Sequence, residues 1–133
     1  LPELQAIMGR VQLAKLDSIV AERNAIRREY DRLLAPHGFC IQALSSDVVH
    51  NVQSLVFRVP AGLVRDDLIV GLREAGIEST IGTYCLSGTS YYRERYSQVQ
   101  PNAWQLQQNT ITLPCYAGVD VTRVCEAILA LSS

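Results

Sequence analysis

The first 35 residues restrict the fold more than any other stretch. Leu4, Ile7, Met8 and Val11, then Leu16, Ile19 and Val20, then Ile26, Tyr30, Leu33 and Leu34 recur at intervals of three and four, which is helical periodicity. Pro2 suits a first helical turn, and Pro36 with Gly38 supplies the stop signal. The pattern therefore predicts one helix from Pro2 to about Ala35, with Gly9 as its weakest point. At 1.5 Å per residue such a helix is about 50 Å long, against a radius of gyration of roughly 14 Å for a compact chain of this size. One end must overhang. An overhanging end that still carries Leu4, Ile7, Met8 and Val11 exposes apolar surface unless another domain or a second chain covers it.

The chain has 133 residues, 48% of them hydrophobic, which is enough for one domain with its own core. Its formal net charge is -1, so it lacks the basic surface that nucleic acid or an anionic membrane demands. No apolar run approaches the roughly 18 to 20 residues that span a bilayer, and the opening residues are no signal peptide. The expectation is a cytoplasmic chain with neither nucleic-acid nor membrane partners. Cys40, Cys85, Cys115 and Cys125 are widely spaced and read as buried thiols in a reducing compartment. His37 and His50 have no ligand partner at a metal-binding interval, so no metal site is expected.

Beyond the helix, residues 39–44 and 51–60 read as strands, with Leu55, Phe57 and Val59 alternating onto one face. Residues 65–77 read as a short helix with Asp66 and Asp67 in its first turn and Gly76 as its cap. A strand at 78–86, an irregular segment, a short helix over 103–109, an extended piece at 110–116 and a closing helix over 119–133 complete the chain. Helices and strands mix without repeated βαβ units. The predicted class is α+β, a long N-terminal helix followed by a small, mainly antiparallel sheet with helices on one face.

Two stretches could carry chemistry. Arg23, Arg27, Arg28 and Arg32 alternate with Glu22, Glu29 and Asp31 at helical intervals and read as a solvated face laced with ion pairs. The segment SGTSYYRERY is richer in recognition chemistry. Ser87, Gly88, Thr89 and Ser90 give flexible backbone and hydroxyls, while Tyr91, Tyr92 and Tyr96 with Arg93 and Arg95 give stacking faces and donors. The same tyrosines are equally able to pack on the domain's own core. Thr80, Thr83 and Tyr84 stand where the preceding strand runs into that segment, a common position for binding residues. The single lysine, Lys15, lies in a helix with no polar constellation beside it in sequence. It reads as a surface lysine, because an imine-forming amine needs burial or a cationic neighbour. No phosphate loop, GxSxG elbow or carboxylate pair is present, and no catalytic residue is expected.

The opening segment LPELQAIMGRVQLAKLDSIVAERNAIRREYDRLLA closely resembles the helix that begins the C-terminal region of the DegT/DnrJ/StrS family, the nucleotide-sugar aminotransferases dependent on pyridoxal phosphate (PLP). The remaining segments follow the family's order. NVQSLVFRVP resembles its central strand, RDDLIVGLREAGIESTIGTY its helix-Gly-strand unit, and TITLPCYAGVDVTRVCEAI its closing segment. The resemblance spans essentially the whole chain and implies the small domain of a fold-type I PLP enzyme. Residues 1–133 would form a single C-terminal domain, and the N-terminal PLP-binding domain would lie outside the chain.

The resemblance implies further expectations. The lysine that holds PLP, the Asp at its pyridine nitrogen and most phosphate ligands would belong to the missing N-terminal domain, so no cofactor-binding residue is expected and no PLP would bind this piece. The whole protein would move an amino group, usually from glutamate, to a keto-sugar on a nucleotide, working as a homodimer whose partner covers the overhanging helix. This piece alone would be inactive. The segment from Ile81 to Tyr96 would border the sugar-nucleotide cleft, giving hydrogen-bonding roles to Thr83 and Tyr84 and a stacking or lid role to Tyr91 and Tyr92. Many relatives carry a His that falls at Ser87, so this substrate position departs from the common pattern. Some relatives use the same framework for sugar dehydration. A free-standing α+β module, dimerising through its helix and binding a ligand or protein through its tyrosines, is the alternative from another class.

Overall fold

A computed structural model describes residues 2–132. The predicted long helix is two: α1 (Glu3–Leu13) and α2 (Leu16–Leu34), the second running on through a 3-10 turn at Ala35–His37. The break falls at Ala14 and Lys15 and not at Gly9. Both residues keep right-handed helical backbone angles, but the Lys15 N–H bonds the Gln12 carbonyl three residues back. The Ser18 hydroxyl donates to the Lys15 carbonyl at 2.8 Å, a side-chain bond of the kind that bends helices. Every apolar side chain of α1 is exposed, from Leu4 at 70% to Val11 at 51%. The domain's own core does not cover the helix.

Four strands, β1 (Cys40–Ile41), β2 (Leu55–Arg58), β3 (Thr80–Ile81) and β4 (Thr110–Leu113), form a sheet in the order β1-β2-β4-β3. All pairings are antiparallel, as expected, although β1 and β3 are much shorter than their sequence patterns. The register aligns Ile41, Phe57, Ile111 and Ile81 in one row across all four strands, with Leu55 and Leu113 paired beside it. Because side chains alternate faces along a strand, Cys40, Arg58 and Thr110 lie on the opposite face, as do Val56, Thr112 and Thr80.

Three helices supply the other half of the core. Tyr30 and Leu34 of α2, Leu68 and Leu72 of α3 (Arg65–Glu74), and Val124, Cys125 and Ile128 of α6 (Val121–Leu131) cluster with Leu55, Phe57, Ile111 and Leu113. Each terminus has its device. Gly76, at φ +73, lets the Ile77 N–H reach the Leu72 carbonyl and its own N–H reach that of Arg73, which closes α3 as a Schellman motif. The Asp120 carboxylate accepts from the Arg123 N–H at 3.0 Å and starts α6. The Arg123 guanidinium in turn donates to the Ala75 carbonyl, joining the end of α3 to the start of α6. Among the described residues no helix is long and apolar enough to cross a membrane.

The thiols do not share one environment. Cys85 and Cys125 are buried and Cys115 is half-buried, whereas Cys40 is exposed at the sheet's edge, because its register partner is the outward-facing Arg58. Burial pushes the Cys125 thiol up from 9.0 to about 11, and burial likewise raises the Tyr30 phenol above its ordinary value of 10.0. These groups ionise at lower pH in the unfolded chain than in the folded one, so their contribution to stability is complete below about pH 9 and is lost as pH rises. The urea midpoint is therefore expected to fall between pH 9 and pH 11, with Cys125→Ala moving the onset upward. A midpoint unchanged across that interval in the unsubstituted chain would contradict it.

Candidate functional site

Between β3 and β4 lie two helices: α4 (Ser90–Arg95), inside the stretch read as irregular from sequence, and α5 (Pro101–Asn109), which the sequence predicts over 103–109 and which begins two residues earlier with Pro in its first turn. Helical spacing explains the aromatic cluster on α4. Tyr92 and Tyr96, four apart, stack at 6.1 Å, while Tyr91 stands edge-on to Tyr92 at 5.2 Å. The Arg95 guanidinium lies 4.9 Å from the Tyr91 ring centre, and Arg93 lies 5.8 Å from that of Trp104 on α5, both within cation-π range. All three tyrosines remain exposed. They pack on one another and on the arginines, and not into the core.

The five sequence-predicted site residues do not converge on one cavity. Tyr84, Ser87 and Tyr92 border an open groove of about 970 Å³, together with Arg95, Tyr96 and Gln100. Thr83, one residue before Tyr84, lines a different cleft on the outer face of the sheet. Tyr91 borders neither and presents its ring to Arg95. Ser87 also has a local role the sequence did not disclose. Its hydroxyl accepts from the Gln100 N–H at 2.9 Å and shares a hydrogen with the Cys85 thiol at 3.2 Å. The Gln107 side-chain carbonyl takes the Cys85 N–H at 2.6 Å. Through these bonds the buried Cys85 turn holds Tyr84 at the mouth of the groove.

The outer-face cleft, about 590 Å³, was not legible in the sequence. Arg27 from α2, Arg58 from β2 and His50 from the loop before β2 line it beside Thr83 and Ser54, with Gly82 in its wall. No carboxylate is among its lining side chains. Gly82 is required by close approach: a Cβ there would lie 2.5 Å from the Thr110 hydroxyl oxygen and 2.6 Å from a Val56 methyl. The expected ion-pair lacing of α2 is largely absent, since among the described residues only Arg32 pairs with a carboxylate there, that of Glu29 at 2.6 Å. Arg23 instead donates to the Val52 carbonyl at 2.9 Å.

Lys15 is exposed at the break between α1 and α2 and lines neither the open groove nor the outer-face cleft, whereas a lysine that carries a cofactor sits in a shaped, desolvated pocket. No three His, Cys, Asp or Glu side chains among the described residues stand close enough to share a metal ion.

A model of the DegT/DnrJ/EryC1/StrS aminotransferase family matches residues 1–129. Among solved structures, the aminotransferase TlmJ of Streptoalloteichus hindustanus has the same fold over 93% of this chain, at a TM-score of 0.82 and 26% identity. PseC of Helicobacter pylori, an aminotransferase involved in the biosynthesis of pseudoaminic acid, matches 97% of the chain at a TM-score of 0.85 and 17% identity. The PLP form of Spr1654 from Streptococcus pneumoniae, a candidate sugar aminotransferase, matches 98% at 0.84 and 23% identity. The chain spans about a third of the length of each: 34%, 37% and 35%.

Proposed function

This chain belongs to the DegT/DnrJ/EryC1/StrS aminotransferase family, and from that premise we propose that it is the C-terminal part of a PLP-dependent enzyme that moves an amino group, from glutamate, to a nucleotide-linked keto-sugar. The observation that carries the reading is the coverage. The family model takes in nearly the whole chain, while the chain takes in only about a third of each solved relative. The exposed position of Lys15 supports a division of labour in which the remaining two thirds hold the cofactor and this part alone is inactive.

In the whole enzyme Thr83, Tyr84, Ser87, Tyr91 and Tyr92 face the sugar nucleotide. The open groove beside Tyr84, Ser87 and Tyr92 supports that role for three of them: tyrosine rings offer stacking faces and the Arg95 guanidinium offers donors to anionic groups. The exposed stripe of Leu4, Ile7, Met8 and Val11 supports a homodimer in which a second copy, or the rest of the same chain, lies along α1.

Borohydride reduction in the presence of PLP, followed by peptide mass mapping, tests the proposal on the longer gene product. A stable adduct is expected on a lysine outside residues 1–133 and none on Lys15. A specific adduct on Lys15, or a longer product that takes up no PLP, would overturn it and favour a binding module without catalysis.

A further inference from the structure

The cleft on the outer face of the sheet has the chemistry of an anion site, and we infer that it binds a phosphate or diphosphate group between the guanidiniums of Arg27 and Arg58, with His50 as a third donor. This goes beyond the proposed function: of the cleft's residues only Thr83 has a part in that reading, and the argument for the anion is carried by the others.

Arg27 and Arg58 line one cavity without a counter-charge among its lining residues. No carboxylate lines it, and among the described residues neither Arg27 nor Arg58 has an ion-pair partner. The Nε of Arg27 is sequestered from solvent without a hydrogen-bond acceptor, a costly state for a charged donor unless a ligand supplies one. Guanidinium is also the side chain whose planar fork best matches phosphate oxygens. Hydroxyls of Ser54 and Thr83 stand in the same wall.

His50 is set up as a donor. The Val52 N–H donates to its Nδ1 at 3.2 Å, so the neutral ring carries its proton on Nε2. The loop that presents it is held firmly: Asn24 donates to the His50 carbonyl at 2.7 Å and Arg23 to that of Val52 at 2.9 Å. Val52 itself sits at φ +48 with its side chain fully buried, a conformation a β-branched residue keeps only when its surroundings enforce it. Glycine at position 82 leaves the wall open where any side chain would strike Thr110 and Val56.

Calorimetric titration of the 133-residue chain in a phosphate-free buffer, paired with amide NMR, tests the assignment with sodium pyrophosphate, UDP and glutamate as probes. Pyrophosphate is expected to bind and to move the amides of Cys40, Gly82 and Thr83, with affinity falling as salt rises. Arg58→Gln, at an exposed position, and Arg27→Lys, which keeps charge and stem but loses the fork, should each weaken binding by about tenfold or more while leaving the NMR dispersion intact. UDP binding as tightly as pyrophosphate means the cleft holds the phosphates alone, and tighter binding means the nucleoside adds contacts; both support the site. Absence of binding by both phosphate probes, equal affinity in both variants, or tighter binding of glutamate would overturn it. The PLP trapping result can fail without affecting this titration, and the reverse also holds.

Discussion

Arg65→Met is expected to lower the stability of the chain by about 3 to 5 kcal/mol, read as a shift of the urea midpoint at unchanged slope. Arg65 opens α3 and is only 5% exposed. Its Nη1 donates to the Gln107 carbonyl at 2.7 Å and to the Thr110 carbonyl at 2.9 Å, so one guanidinium joins α3 to the end of α5 and the start of β4. Charge-assisted bonds of this kind are worth about 1.5 to 3 kcal/mol each. Methionine keeps the packing of the stem and strips the donors, taking the guanidinium from the Gln107 carbonyl and leaving the Thr110 carbonyl only the Gly82 N–H. The Nε contact with the exposed Asp66 carboxylate at 2.6 Å contributes little by comparison. Arg65→Lys should recover part of the loss, since both carbonyls are bonded by the one Nη1 and an ammonium also carries more than one donor hydrogen. A loss below about 1 kcal/mol for Arg65→Met would show that water replaces the guanidinium at no cost.

Phe57→Ala should cost a similar amount, about 3 to 5 kcal/mol, for a different reason. The ring is fully buried in the middle of the cross-strand row, with Ile41 on one side, Ile111 on the other and the Tyr30 ring 6.3 Å away. Truncation leaves a cavity between sheet and α2 that two neighbouring strands, fixed by their own pairing, collapse into poorly. Phe57→Leu keeps most of the volume and should cost no more than about 1.5 kcal/mol. Since domains of this kind are stable by only about 5 to 15 kcal/mol in total, the alanine variant is expected to populate the unfolded state measurably in mild denaturant. Equal midpoints for the alanine and leucine variants would show that the row is not the centre of the core.

The same row shows what the sequence could disclose. The alternation of Leu55, Phe57 and Val59 announced a buried face, and all three are buried. The i,i+3 and i,i+4 spacing of residues 2–35 announced helix. The break at Ala14 and Lys15 left no mark, because neither residue is a helix breaker and the change is one of backbone bonding, the Lys15 N–H taking the Gln12 carbonyl. α4 was hidden for the opposite reason: Gly88, Thr89 and Ser90 favour turns, and the ring contact between Tyr92 and Tyr96 that accompanies the helix is made at its end. The outer-face cleft was out of reach because Arg27, His50, Arg58 and Thr83 belong to four separate segments that only the β1-β2-β4-β3 order assembles. For Arg65, the first-turn acidic pair was visible, but nothing in the sequence marked its neighbour as buried.

Helix α1 has 11 residues and none of them is buried. Isolated helices shorter than about 12 to 15 residues are marginal in water, so a surface laid along the apolar side of α1 would add to its order. Association and coil-to-helix ordering at this end of the molecule would then form a single linked equilibrium, in which the concentration of that surface sets how much of α1 is helical.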